Sequence, residues 1–191
     1  MKIYRVFAFL ILVTLASCST ILVNTTNRDG MQEDPTERTT GAIIEDRSIE
    51  TKIAVNMQAI EPAFRKSSFD VISHNGVVLL IGQVESSGLK SKATEIASKA
   101  STKIKRIHNE IEVSGRTGIL SRGNDTWIAT KVRTLMLANA EVPSGQVRVV
   151  VENGAVYLMG IISQSEGDNA ANIARNVAGV TKVVKVFEYL S

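Results

Sequence analysis

Hydrophobic and polar positions recur in the same order in two stretches of the chain, 46–115 and 124–191. Each opens on an aspartate followed by a helical pattern, Asp46-Arg-Ser-Ile49-Glu-Thr-Lys52-Ile53 in the first and Asp125-Thr-Trp-Ile128-Ala-Thr-Lys131-Val132 in the second. The aspartate stands where an N-cap belongs. Two apolar runs then flank an Asn-Gly pair, from Phe69 through Asn75-Gly76 to Gly82, and from Val147 through Asn153-Gly154 to Gly160. Asn-Gly between such runs predicts a tight hairpin, because both central residues of a type I′ turn need positive φ. A second helix follows, with Ala93, Ile96, Ala97 and Ala100 repeated as Ala170, Ile173, Ala174 and Val177. A closing strand runs from Ile104 to Val113 in one copy and from Val180 to Leu190 in the other. The prediction is therefore an α+β protein of two tandem α-β-β-α-β units, each a three-stranded mixed sheet packed by two helices. Gly82 and Gly160 fall inside strands, and the expected cause is a helix lying close against the sheet there.

The repeat supplies an internal control. The first helices align without gaps, and positions apolar in both copies are assigned to the core: Ile49/Ile128, Ile53/Val132 and Met57/Met136. Trp127 instead faces Ser48, and Leu137 faces Gln58. At about 100° per residue, Ile128, Val132, Leu135 and Met136 gather in one quadrant, while Trp127, Thr130, Thr134, Leu137 and Ala138 project away from it. Lys131 and Arg133 flank that outer strip. A tryptophan with a leucine, small hydroxyl residues and bordering cations suits a lipid–water interface, where indole sits at headgroup level and cations meet phosphate. Ile119 and Leu120, in the connector, either join the strip in lipid or pack beneath Trp127, which then acts as a staple on the linker.

The N-terminus carries a different pattern. Lys2 and Arg5 precede an uncharged run from Val6 to Leu15, too short to span a bilayer and suited to an export signal. It ends in Leu15-Ala16-Ser17-Cys18, which resembles the bacterial lipobox. That resemblance implies cleavage of residues 1–17 as a signal peptide, with diacylglycerol on the Cys18 thiol and an acyl chain on its amine. Cys18 is the chain's single cysteine, so no disulfide framework is possible. Ser19, rather than aspartate, follows it, which by the same resemblance directs the protein to the outer membrane. Residues 18–45 read as the acylated cysteine and a flexible, acidic tether, and 116–123 as an inter-repeat linker.

Composition narrows the function further. Without Lys2 and Arg5 the chain keeps 20 basic and 19 acidic residues, far from the basic balance of a nucleic-acid binder. His74 and His108 stand beside a hairpin turn and on a strand, with no cysteine or acidic cluster spaced as a partner, and are expected to be solvated or turn residues. No nucleophile elbow, phosphate-binding glycine loop or metal-ligand spacing occurs. The expectation is a protein that is not an enzyme and has no cofactor beyond its covalent lipid, no metal and no small-molecule substrate.

The strand-Asn-Gly-strand-Gly pattern, the alanine-rich second helix and the final strand resemble the BON domain, a bacterial module linked to osmotic response and phospholipid binding. Two such units behind a lipobox resemble the dual-BON outer-membrane lipoproteins, most strongly over Gly123–Arg133 and Glu152–Gly160. The resemblance implies a periplasm-facing lipoprotein that binds anionic, phosphatidylglycerol-like phospholipid through the first helix of its second unit. Trp127, Thr130, Lys131, Arg133, Thr134, Leu137, Ile119 and Leu120 are the candidate contacts. It further implies support of outer-membrane integrity and enrichment at the division site. The alternative is an adaptor whose Trp127 strip binds an envelope assembly factor or cell-wall enzyme; peptidoglycan attachment is a third reading.

Overall fold

A computed structural model describes residues 34–114 and 120–190, with side chains in the second segment from residue 123. The first helix, α1, spans Thr40–Ile60 and is capped by Thr39, whose Oγ1 accepts the Ala42 N–H at 3.1 Å. It thus begins ahead of Asp46, and the expectations of an Asp46 N-cap and of a tether reaching residue 45 are both corrected. Asp46 lies within the helix, 3% exposed. Its carboxylate caps the hairpin instead: it accepts the Asn75 and Gly76 N–H groups at 2.8 and 2.9 Å, Ser73 Oγ at 2.6 Å and Arg38 Nη1 at 2.9 Å. The second repeat copies the device. Asp125, inside α3 (Leu120–Leu137), accepts Asn153 and Gly154 N–H at 2.9 and 2.8 Å.

The hairpins form as predicted. Strands β1 (Ser68–His74) and β2 (Val77–Val84) pair antiparallel with His74 opposite Val77. Strands β5 (Arg148–Glu152) and β6 (Ala155–Ile162) do so with Glu152 opposite Ala155. Asn75 and Gly76 have φ of 53° and 77°, Asn153 and Gly154 of 50° and 77°, the left-handed pair that a type I′ turn requires. Helices α2 (Ser87–Ser98) and α4 (Gln164–Arg175) are capped by Ser86 and Ser163, the latter in a capping box with Glu166. Each helix carries the chain over to a strand parallel to the hairpin's second strand, as a crossover of this length allows.

In the second repeat that strand is continuous, β7 (Lys182–Tyr189). In the first it is broken into β3 (Arg106–Asn109) and β4 (Glu112–Val113), both on β2, so the expected three strands become four. The cause is local. Asn109 Oδ1 accepts the Ile111 N–H at 3.2 Å while its amide donates to the Lys90 carbonyl and to Thr94 Oγ1, both at 2.7 Å. A side chain that bonds nearby backbone in this way competes with the ladder, and Ile111 turns fully into the core.

Alternation along β2 and β6 organises the core. Val78, Leu80 and Val84 face α1 and α2, packing with Ile49, Ile53, Met57, Ala93, Ile96 and Ala97. Val156, Leu158 and Ile162 face α3 and α4, packing with Ile128, Val132, Met136, Ala170 and Ala174. The paired core positions of the two first helices are all 0–1% exposed, as the repeat comparison required. The opposite faces cover each other: Ile72, Val77, Leu79 and Ile81 form one cluster with Ala155, Tyr157, Met159 and Val186. Both repeats accordingly belong to one compact unit, Pro35–Ser191, and every position of β2 and β6 is buried.

Polar side chains cover the edge strands. Glu50 accepts the Ser73 N–H at 2.8 Å, and Arg148 donates to the Ser73 carbonyl at 3.3 Å. Arg106 donates across the repeats to the Phe187 carbonyl at 2.6 Å, and Lys105 and Asn75 both reach Glu188. Gly82 and Gly160 have a different cause from the one expected. A Cβ on Gly82, at φ +113°, would stand 2.2 Å from the Ser68 carbonyl oxygen, and one on Gly160 2.3 Å from that of Gln146. The backbone leading into the neighbouring strand, rather than a helix, makes the close approach.

Candidate functional site

The outer face of α3 follows from its inner one. Ile128, Val132 and Met136 are buried, and Ala129 completes the inward side at 9% exposure. Leu135, expected in the buried quadrant, is exposed; the quadrant's centre lies toward Ala129 and Leu135 falls at its rim. Trp127 is 51% exposed and Leu137 76%. Between them Thr130 and Thr134 turn their hydroxyls onto their own helix, donating to the Thr126 and Thr130 carbonyls at 2.9 Å each. With those hydroxyls engaged, the strip is less polar than its composition suggests. Lys131 stands on the exposed side. Arg133 differs: its Nη2 donates to the Val149 carbonyl at 2.7 Å, which fixes the guanidinium at the edge of β5 rather than free beside Trp127. Cys18, Ile119 and the Leu120 side chain lie outside the described residues.

Two features escaped the sequence reading. Residues assigned to the tether, Ile43 and Ile44, stand on α1 and are 41% and 65% exposed. Beside Ile43 and Leu137 a cleft of about 990 Å³ opens, lined on one side by α1 and β1 and on the other by the loop entering β5. The imidazole of His74 lines this cleft and is only 9% exposed, so it is a buried histidine rather than a solvated one. Its Nδ1 makes no hydrogen bond among the described residues. Burial pushes its pKa down to about 4, helped by Arg38 and Arg148 and opposed by Asp46 and Glu188.

That shift has a measurable consequence. An unfolded imidazole titrates near 6.5, so between pH 6.5 and 4 the unfolded chain holds the proton more tightly than the folded one. Stability is therefore full above the upper limit and falls as the pH drops through the window, by about 2–3 kcal/mol from this group. Urea denaturation at both ends should show the loss in the wild type and most of it removed in His74→Leu.

Comparison with known proteins fits this geometry. The BON domain profile matches residues 45–115 and 124–191, nearly the whole of the two repeats. The chain belongs to the BON domain family. It is 37% identical over 153 residues to the outer membrane lipoprotein DolP of Haemophilus influenzae, covering 80% of this chain and 79% of that one. It is 36% identical over 153 residues to a 21 kDa hemolysin of Actinobacillus pleuropneumoniae, covering 80% and 78%. Osmotically-inducible protein Y of Escherichia coli is 27% identical over 163 residues, covering 83% and 80%. As a dual-BON protein of this kind the chain is non-enzymatic.

Proposed function

We propose that this BON protein is an outer-membrane lipoprotein, cleaved after residue 17, acylated on Cys18 and facing the periplasm, whose second BON domain binds anionic phospholipid. The observation that carries the reading is the asymmetry of the repeats. Trp127 and Leu137 stand exposed on one face of α3, where α1 has Ser48 and Gln58. Nothing in the fold requires an exposed tryptophan there, since the core positions beneath it are filled equally well in both copies. A half-exposed indole with Leu137 beyond it and Lys131 beside it matches the apolar-plus-cationic demand of a headgroup layer. The likeness to an outer membrane lipoprotein supports the location. Tethering by permanent acyl chains raises the effective concentration of the strip at the membrane, so a weak site suffices. Support of envelope integrity, and enrichment at the division site where anionic lipid collects, belong to the same proposal.

The test is co-sedimentation of the chain from Ser19 with vesicles of phosphatidylcholine alone or containing phosphatidylglycerol. Wild type is expected to bind only the charged vesicles, more weakly as salt rises, and Trp127→Glu to lower that binding at least about tenfold without unfolding. A folded wild type that ignores both vesicle types would overturn the lipid reading and leave the strip to a protein partner, as an adaptor requires.

A further inference from the structure

The cleft between the two BON domains brings three arginines together. Arg38 enters from the segment before α1, Arg47 from α1 and Arg148 from the start of β5. Three carboxylates share the cleft: Glu37 is exposed at its mouth, and the other two are engaged. Asp46 already accepts four hydrogen bonds, of which Arg38 supplies one, and Glu50 accepts the Ser73 N–H. Arg148 is left poorly served: among the described residues it donates to the Ser73 carbonyl at 3.3 Å and stands 3.7 Å from Glu50. Its side chain is only 40% exposed, and a guanidinium carries five N–H donors. Arg47 is exposed on the cleft wall, its charge open to a ligand. His74 adds a nitrogen that is buried and unpartnered.

Buried or half-buried donors without acceptors are costly unless something supplies the acceptors. Planar guanidinium forks match a tetrahedral oxyanion, several of whose oxygens can be bound at once. We propose that this cleft binds a phosphate ester, its oxygens held by Arg148 and Arg47 with Arg38 behind them and hydrogen-bonded by His74 Nδ1–H. The ester belongs either to a soluble phosphate compound or to the headgroup of a phospholipid. Leu137 and Ile43 at the rim favour the second source, because a lipid drawn into the cleft would lay its chains against them. That preference rests on the membrane reading above; the phosphate chemistry does not. An anion here also opposes the field of Arg38 and Arg148 that acts on His74.

The full chain, purified in a non-ionic detergent, is titrated with inorganic phosphate, glycerol 3-phosphate and short-chain phosphatidylglycerol. Binding is followed by calorimetry and by the His74 imidazole resonances. Millimolar or tighter binding of glycerol 3-phosphate is expected, with His74 titrating at higher pH in its presence. Arg148→Gln and Arg47→Gln should each weaken it about tenfold. Arg47 is exposed, so Arg47→Gln is expected to leave the fold intact. Tighter binding of phosphatidylglycerol than of glycerol 3-phosphate identifies the lipid source, and equal binding a soluble ester. Trp127→Glu should leave glycerol 3-phosphate binding unchanged while weakening vesicle binding, which separates failure of this inference from failure of the membrane reading. The proposal is overturned if the folded chain binds none of the three. It is equally overturned if binding ignores Arg47→Gln, or if only phosphatidylglycerol binds and Trp127→Glu removes it.

Discussion

Asp46→Ala lowers the stability of the protein by about 3–5 kcal/mol, more than any other single polar change in the first repeat. Four donors lose their acceptor together: the Asn75 and Gly76 backbone N–H groups, Ser73 Oγ and the Arg38 guanidinium. Ser73 is fully buried and the turn is covered by α1, so water cannot replace the carboxylate without opening the hairpin. Asp125→Ala provides the calibration. Asp125 accepts the same two turn N–H groups, but Val151 stands where the first repeat has Ser73. Its loss is expected to cost about 2–3 kcal/mol. Urea denaturation of the two variants against wild type checks the order, and equal midpoints would show that Ser73 and Arg38 contribute nothing. Acid should not mimic the effect early. Burial raises the Asp46 pKa, but the hydrogen bonds from Ser73, Gly76, Asn75 and Arg38 outweigh it and hold it below the usual carboxylate value of 3.8. Its contribution is present above that value and is lost only as the pH falls through the lower, folded one, beneath the window in which His74 acts.

Leu79→Asp is expected to cost at least about 4 kcal/mol and to change the form of the unfolding transition. Leu79 is fully buried in the middle of β2, in the cluster it shares with Tyr157 and Met159 of the other sheet. A carboxylate there would stand among the apolar side chains of that cluster, and the faces must part to hydrate it. Because the faces are shared, wild-type repeats unfold together, whereas the variant's first repeat melts ahead of the second. The chain's single tryptophan lies in the second repeat and reports on it alone. Trp127 fluorescence and far-ultraviolet circular dichroism should coincide in wild type and separate in Leu79→Asp. Coincident transitions in the variant would mean that the sheets are not coupled through this cluster.

The period of the apolar residues made the elements and the helix-facing core legible, since Ile49, Ile53 and Met57 recur as Ile128, Val132 and Met136 and are buried as expected. The Asn-Gly pairs fixed both hairpins. What misled was the aspartate. A carboxylate at the head of an apolar stripe has the same sequence signature whether it caps its own helix or a turn packed beneath it, and only the tertiary contact decides. The repeat did contain a clue, because Asp and Asn-Gly recur together. Asn109 likewise gives no sign that its side chain will interrupt a strand. In the site, Trp127 and Leu137 stand out because the other copy lacks them, but the engagement of Arg133 with Val149 depends on a strand edge far away in sequence. The arginine cleft was invisible for the same reason: Arg38, Arg47 and Arg148 come from three separate segments, one of them assigned to the tether.

The back-to-back sheets also bear on how such a protein can be divided. Each half, severed at the linker, would display an apolar sheet surface and edge strands stripped of the arginines and lysines that the other half lends them. The nearest surface of matching shape would be the same face of another identical half, so each fragment should associate with itself as a symmetric pair. The tandem protein is in this sense a dimer whose two subunits were joined end to end. Its two outer helices need not match, and they do not: one carries Trp127 and Leu137 where the other has Ser48 and Gln58.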